Sequence, residues 1–161
     1  MAKSKYSREV RLIGYCIIAL EALAVFTWGA AFYGNVAVLA TIGLSASNPS
    51  SGKSLSMTNT TAGVVLTLPI TGVGFFPVTV SATAQLLNAQ NQTVSQYQAS
   101  VTVSPGETKN LTVTIPSSIA QSSSSLSSYN IKVNIQVASL YNLVGIKGKA
   151  FIEGSALGGG S

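Results

Sequence analysis

The chain has 161 residues, with nine Lys or Arg against four Glu and no His or Asp, so 8% of it is charged and 47% is hydrophobic. Beyond residue 33 the only acids are Glu107 and Glu153, and the lone Cys16 lies in an apolar run. General acid–base catalysis, glycosidase carboxylate pairs and zinc, iron, copper or calcium sites all need ligand or proton-transfer sets that these residues do not supply. No catalytic residue, cofactor or metal ligand is expected, and Ser hydroxyls, though plentiful, have no His to activate them.

The N-terminus opens with Lys3, Lys5, Arg8 and Arg11, opposed only by Glu9. The run Leu12–Tyr33 follows, mostly apolar. As a helix it reaches roughly 33 Å at about 1.5 Å per residue, enough to cross a hydrocarbon core of about 30 Å. A cleaved secretory signal would share the basic head and the small residues Gly29, Ala30 and Ala31. The apolar core, however, exceeds the roughly 7–15 residues of such signals, and Trp28 and Tyr33 stand where an outer aromatic belt belongs. The reading is an uncleaved signal-anchor. Arg11-Leu12-Ile13-Gly14 offers no pilin-like processing site. The basic residues place the N-terminus in the cytoplasm and the remainder outside, and because they hold much of the net charge of +5, no nucleic-acid partner is expected.

Glu21 stands near the middle of this run. A carboxylate at that depth costs on the order of 2.5–3.5 kcal/mol on insertion scales and faces protein or water rather than lipid. Either it is protonated and tolerated, or it meets a polar group on a neighbouring helix. Gly14, Ala19, Ala22 and Ala30 permit close approach but give no regular small-residue repeat.

From Asn35 onward the hydrophobic period becomes two. Val78, Val80, Ala82, Ala84 and Leu86 alternate with Thr79, Ser81, Thr83 and Gln85, and the pattern recurs at Leu111, Val113 and Ile115 and at Ile131, Val133, Ile135 and Val137. These are strands with one buried face. Further strands are expected over 36–45, 54–58, 64–70, 97–103 and 144–152. Val36–Leu44 is assigned to a strand rather than to an extension of the helix, because Gly34-Asn35 reads as a helix stop and β-branched residues follow. Turn chemistry falls at Asn48-Pro49, Ser51-Gly52, Thr71-Gly72, Asn88–Asn91 and Ser104-Pro105-Gly106. Residues 117–128, Ser-rich, read as a crossover loop or a short helical turn.

The expected architecture is mainly β: an immunoglobulin-like antiparallel β-sandwich preceded by one transmembrane helix. It divides into a basic stub over 1–11, a membrane helix over 12–33, the sandwich over 34–154 and a glycine-rich tail over 155–161. With no cysteine outside the span, the domain depends on packing and its strand ladders. Gly72-Val73-Gly74 has neither a following helix nor a Lys and reads as a turn, not a nucleotide loop. Three sequons, at Asn59, Asn91 and Asn110, are candidate N-glycosylation sites, with Asn91 in a hairpin loop.

The stretch Val36–Ser45, then Ser54–Thr60, Val78–Leu87, Ser104–Pro116 and the closing strands to Ile152 together resemble the late-embryogenesis-abundant type 2 family, the water-stress and hypersensitive-response domain. The family's usual Asn-Pro after the second strand is here Asn59-Thr60. The resemblance implies an immunoglobulin-like sandwich behind a membrane helix and no catalytic residues. The low charge and high Ser/Thr content are similar to those of surface proteins of thermophilic archaea.

Three roles are compatible with these features. The first is a non-enzymatic cell-surface protein whose sandwich contacts other envelope proteins or copies of itself in a filament or lattice. The second is an accessory single-pass subunit of a larger membrane complex, engaged through Glu21. The third is a glycan- or solute-binding module using Phe75, Phe76, Tyr97, Tyr129 and Tyr141. The expected partners are membrane lipid and other membrane or envelope proteins.

Overall fold

The structure, a computed structural model, describes residues 3–42, 56–119 and 129–152. A single helix, α1 (Lys3–Thr41), precedes the strands β1 (Ser56–Thr60), β2 (Gly63–Thr71), β3 (Val78–Leu87), β4 (Thr93–Val103), β5 (Thr108–Pro116), β6 (Asn130–Ser139) and β7 (Val144–Ile152). Every pairing is antiparallel. The strands form a three-stranded sheet ordered β1-β2-β5 and a four-stranded sheet ordered β4-β3-β6-β7.

The alternation seen in the sequence is the alternation of burial. In β2 the buried positions are Val64, Leu66, Leu68 and Ile70, in β5 Leu111, Val113 and Ile115, and in β3 Val78, Val80, Ala82, Ala84 and Leu86. Side chains on a strand point alternately to opposite faces, so these sets define the inner faces of the two sheets, which share one core. Size is matched across strands: Ala84 is in register with Tyr97 on one side and Val133 on the other, both packed against the core. The small residue leaves room for the larger ones.

The turns follow their chemistry. Asn91 takes φ 58° in the β3–β4 hairpin, and the Asn88 side-chain oxygen accepts from the amides of Gln90 and Gln92 at 3.0 and 2.9 Å. Asn tolerates the left-handed region and mimics a backbone turn with its side chain. Gly106, at φ 78°, closes the short link between β4 and β5, and its amide donates to the Gly72 carbonyl at 2.9 Å. This link joins one sheet to the other.

One assignment is corrected. Val36–Leu44, expected as the first strand, is helical to Thr41, while residues 43 and 44 lie outside the described residues. Val36, Val38, Ala40 and Ile42 do alternate, but Ala31, Asn35, Val38 and Ile42 also recur at helical spacing, and these are the positions that are buried. Gly34-Asn35 does not stop the helix; it lies inside it. Among the described residues seven strands stand where eight were expected over the chain, and the helix enters the region assigned to the β domain. The turns expected at 48–52, residues 120–128 of the Ser-rich stretch, Glu153 and the tail over 155–161 also lie outside the described residues.

At 39 residues α1 is about 58 Å long. Its final turns pack against β2, β6 and β7, with Val38 and Ile42 joining the core between the sheets. Before Ala31 the helix stands clear of the domain, exposing Val10, Leu12, Ile13, Ile17, Ile18, Leu20, Leu23, Val25 and Phe26 among others. The segment Arg8–Thr41 is long and apolar enough to span a membrane.

Candidate functional site

The helix and the β domain meet through a small set of contacts that their sequences make possible. The Asn35 side-chain amide donates to the Val144 carbonyl at 2.9 Å, a buried bond that ties the helix to the first residue of β7. Val144 is the ladder partner of Ser139, so the bond reaches the end of the β6–β7 hairpin. Asn35 Oδ1 and Ser139 Oγ are both buried with no hydrogen-bond partner among the described residues. Leaving such a group unpaired costs roughly 1–3 kcal/mol. The polar groups at this joint thus trade some stability for a directional attachment.

Close approach of the two backbones is the second ingredient. A β-carbon on Gly34 would stand 3.0 Å from the Val73 carbonyl oxygen, and one on Gly74, whose φ is 104°, would stand 3.0 Å from the Gly34 Cα. Glycine inside a helix costs about 1 kcal/mol relative to alanine. Here its bare face lets the β2–β3 connection lie directly on the helix. Sequence reasoning missed this joint, although the helical spacing of Ala31, Asn35, Val38 and Ile42 carries its signal.

The residues singled out by sequence lie apart from one another. Glu21 and Cys16 are exposed on the projecting helix, Arg8 and Arg11 are exposed near its start, and Lys3 and Lys5 fall in its first turns. Trp28 and Phe32 stack with ring centroids 5.9 Å apart, and Tyr33 beside them is exposed. Asn59 lies in β1, Asn91 in the exposed β3–β4 turn and Asn110 on the exposed face of β5. Of the aromatic residues considered for glycan binding, Phe75 and Tyr141 are exposed and Phe76 is half-buried. Tyr97 and Tyr129 pack against the core. The five form no common platform.

A polar surface covers the outside of the four-stranded sheet. Register places Gln98, Thr83, Asn134 and Lys149 in one row and Ser100, Ser81, Gln136 and Lys147 in the next. A shallow recess of about 280 Å³ lies among Ser81, Thr83, Gln98, Gln136, Lys147 and Lys149. Among the described residues no three His, Cys, Asp or Glu side chains come together there or elsewhere. On the other sheet, Lys109 Nζ pairs with Glu107 at 2.9 Å, and the Glu107 carboxylate also accepts from the Ser104 amide at 2.9 Å. The amide bond first, and then Lys109, hold the Glu107 pKa below its ordinary value of 4.5.

No protein-family model matches the chain, and no curated protein matches it. Among solved structures it is similar to β-glucuronidase 2 of Bacteroides uniformis covalently bound to cyclophellitol-6-carboxylate aziridine, at 8% identity and a TM-score of 0.41, over 66% of this chain and 14% of that one. It is also similar to DesR, a β-glucosidase from Streptomyces venezuelae in complex with D-glucose, at 16% identity and a TM-score of 0.32, over 62% of this chain and 14% of that one. The chain thus spans a small part of the length of either enzyme. At scores this low the likeness bears on neither fold nor activity.

Two outcomes are expected. Gly34→Leu should push the helix off the β2–β3 connection and lower unfolding stability in detergent by about 1–3 kcal/mol, the usual cost of overpacking. Gly29→Leu, where a β-carbon meets nothing within 4 Å, should leave denaturant midpoints unchanged. For Glu107, a lowered folded pKa means that its contribution is complete above the ordinary value of 4.5 and is lost as pH falls through the folded value. The stability difference between wild type and Glu107→Gln should therefore shrink on acidification and stay flat above neutral pH.

Proposed function

We propose that the protein is a non-enzymatic, single-pass surface protein, with its N-terminus in the cytoplasm and its β domain outside, where the domain makes protein–protein contacts in an envelope filament or lattice. The observation that carries this reading is the continuity of α1. From Val10 to Ala30 it is largely bare and apolar, and it runs without a break into turns that are buried against the β domain. Bare apolar surface on this scale needs lipid or other helices around it. The basic residues from Lys3 to Arg11 support the orientation by the positive-inside bias.

The β domain is read as an immunoglobulin-like sandwich. Three-plus-four sheets, hairpins β1–β2, β3–β4 and β6–β7, and links that cross between the sheets after β2, β4 and β5 support that reading. The distant resemblance to the late-embryogenesis-abundant type 2 family is in keeping with it only from β1 onward, since the stretch that the family would use as its first strand is helix here. Strands at sheet edges retain unpaired backbone groups that can add a partner's strand. Edge strand β4 is eleven residues long and has no charge and no proline. Near its end Lys109 Nζ donates to the Thr102 carbonyl at 3.1 Å, and along the rest of its length that composition sets no charge or proline against pairing.

A second reading, an accessory subunit of a larger membrane complex, is supported by Glu21, an exposed carboxyl midway along the bare apolar helix. Cross-linking from a photoreactive residue at position 21 in native membranes separates the two. Adducts between copies of the chain are expected for an assembly protein, and native mass spectrometry should then find more than one copy. Adducts to a polytopic protein favour the accessory role. A lone monomer in mild detergent, with no co-purifying protein and no polymer on cells, would overturn both. Asn91 and Asn110 are exposed sequon positions on the outward side, and a glycan on Asn91 is expected to appear as an intact-mass loss on deglycosylation that Asn91→Gln abolishes.

A further inference from the structure

Two loops of the β domain meet the helix where it emerges. Gly34 abuts Val73 and Gly74, and Asn35 binds the Val144 carbonyl, so the β2–β3 connection and the β6–β7 turn lie level with residues 34 and 35 of α1. Among the described residues of the β domain, the large hydrophobic side chains that stand exposed are Phe75 at 72%, Val94 at 52%, Tyr141 at 101% and Leu143 at 81%. All but Val94 belong to those two loops. Just before the joint, the helix exposes Trp28, Phe32 and Tyr33.

We infer that Phe75, Tyr141 and Leu143, with Trp28, Phe32 and Tyr33, form a collar that inserts into the interfacial zone of a lipid bilayer, giving the β domain a loop-borne membrane contact separate from the helix. This rests on the membrane-anchor reading of α1. The height agrees with it: from Leu12 to Ala30 the helix rises about 28 Å, close to the thickness of a hydrocarbon core, so the outer interface falls at the collar. The chemistry agrees as well, since Trp and Tyr rings prefer that zone, with an apolar body in the chains and a polar edge among the headgroups.

The β6–β7 turn is built to hold its side chains away from the domain. Leu140, Tyr141 and Asn142 have φ of 50°, 55° and 68°, three consecutive non-glycine residues in a region that L residues rarely adopt. The Leu143 amide closes the turn onto the Leu140 carbonyl at 3.1 Å. A solvent-facing turn with this backbone would ordinarily use Asn and Gly. Here Asn142 is exposed as well, but flanked by two large exposed side chains, Tyr141 and Leu143. The ionised groups on the β4–β5 side of this end, Glu107 and Lys109, neutralise each other.

The test uses the full-length chain in phosphatidylcholine nanodiscs at one copy per disc. Tyr141→Trp, combined with Trp28→Phe, supplies a sole tryptophan at a fully exposed position whose replacement disturbs no packing. The expected result is a blue-shifted emission that lipids brominated near the headgroup quench strongly and aqueous acrylamide quenches little, unchanged at high salt. The wild-type chain, whose sole tryptophan is Trp28, reports separately on the helix. Bromolipid quenching of Trp28 but not of the Tyr141→Trp probe would overturn the collar while leaving the anchor standing, whereas quenching of neither would overturn the anchor itself. Shielding of the probe from acrylamide without bromolipid quenching, appearing only at two copies per disc, would assign the surface to a second copy and also overturn the proposal.

Discussion

The structure depends on the burial of one stripe of a long helix, Ala31, Asn35, Val38 and Ile42, against the β domain. The stripe belongs to two folding problems at once. It completes the core between the sheets, where Val38 and Ile42 join residues of β2, β3, β5 and β6. It also gives the last turns of α1 a reason to remain helical in a stretch whose β-branched residues and glycine disfavour helix. Removing either side of the contact would expose the other. The helix end and the β core are therefore one cooperative unit, not an anchor with a domain attached.

That dependence explains where sequence reading succeeded and where it failed. The strands β2, β3, β5 and β6 were legible because each alternates a polar face with a buried face over enough residues to outweigh a helical reading. Val36–Thr41 was not legible, because Val36, Val38 and Ala40 satisfy a period of two while Ala31, Asn35 and Val38 satisfy a helical one. Local propensity and the Gly34-Asn35 pair argued for a break. What decided the matter lies far away in sequence: the Val73 carbonyl, which lies close against the bare Gly34, and the Val144 carbonyl, which Asn35 reaches across 109 residues. Tertiary contacts of this kind override local preference and leave little trace in a single sequence. Glu21 stands out from its neighbours in the sequence alone, and the structure leaves it exposed near the middle of the helix. The joint formed by Asn35 and the Val144 carbonyl was not anticipated, because a buried Asn looks like an ordinary polar residue until its surroundings are known.

The surfaces divide by chemistry. The four-stranded sheet presents amides, hydroxyls and lysines outward; the loops around the helix exit present aromatic and aliphatic side chains. The other edges carry the exposed sequon asparagines, Asn91 and Asn110. Such a partition is in keeping with the membrane placement proposed above, in which one end would meet lipid and the other faces water.

The bond between Asn35 and Val144 also sets a bearing. Because α1 is unbroken, Glu21 and Asn35 hold a fixed angle about the helix axis, and fourteen residues at about 100° each bring them to within roughly 40° of the same direction. Asn35 points at the start of β7, so Glu21 points, inside the apolar stretch, to nearly the same compass quarter as the β6–β7 hairpin does above it. On the proposed accessory-subunit reading, a neighbour that met the carboxyl within the membrane would find that edge of the four-stranded sheet overhead. Rotation about the long axis is not free, and recognition at one level dictates orientation at the other.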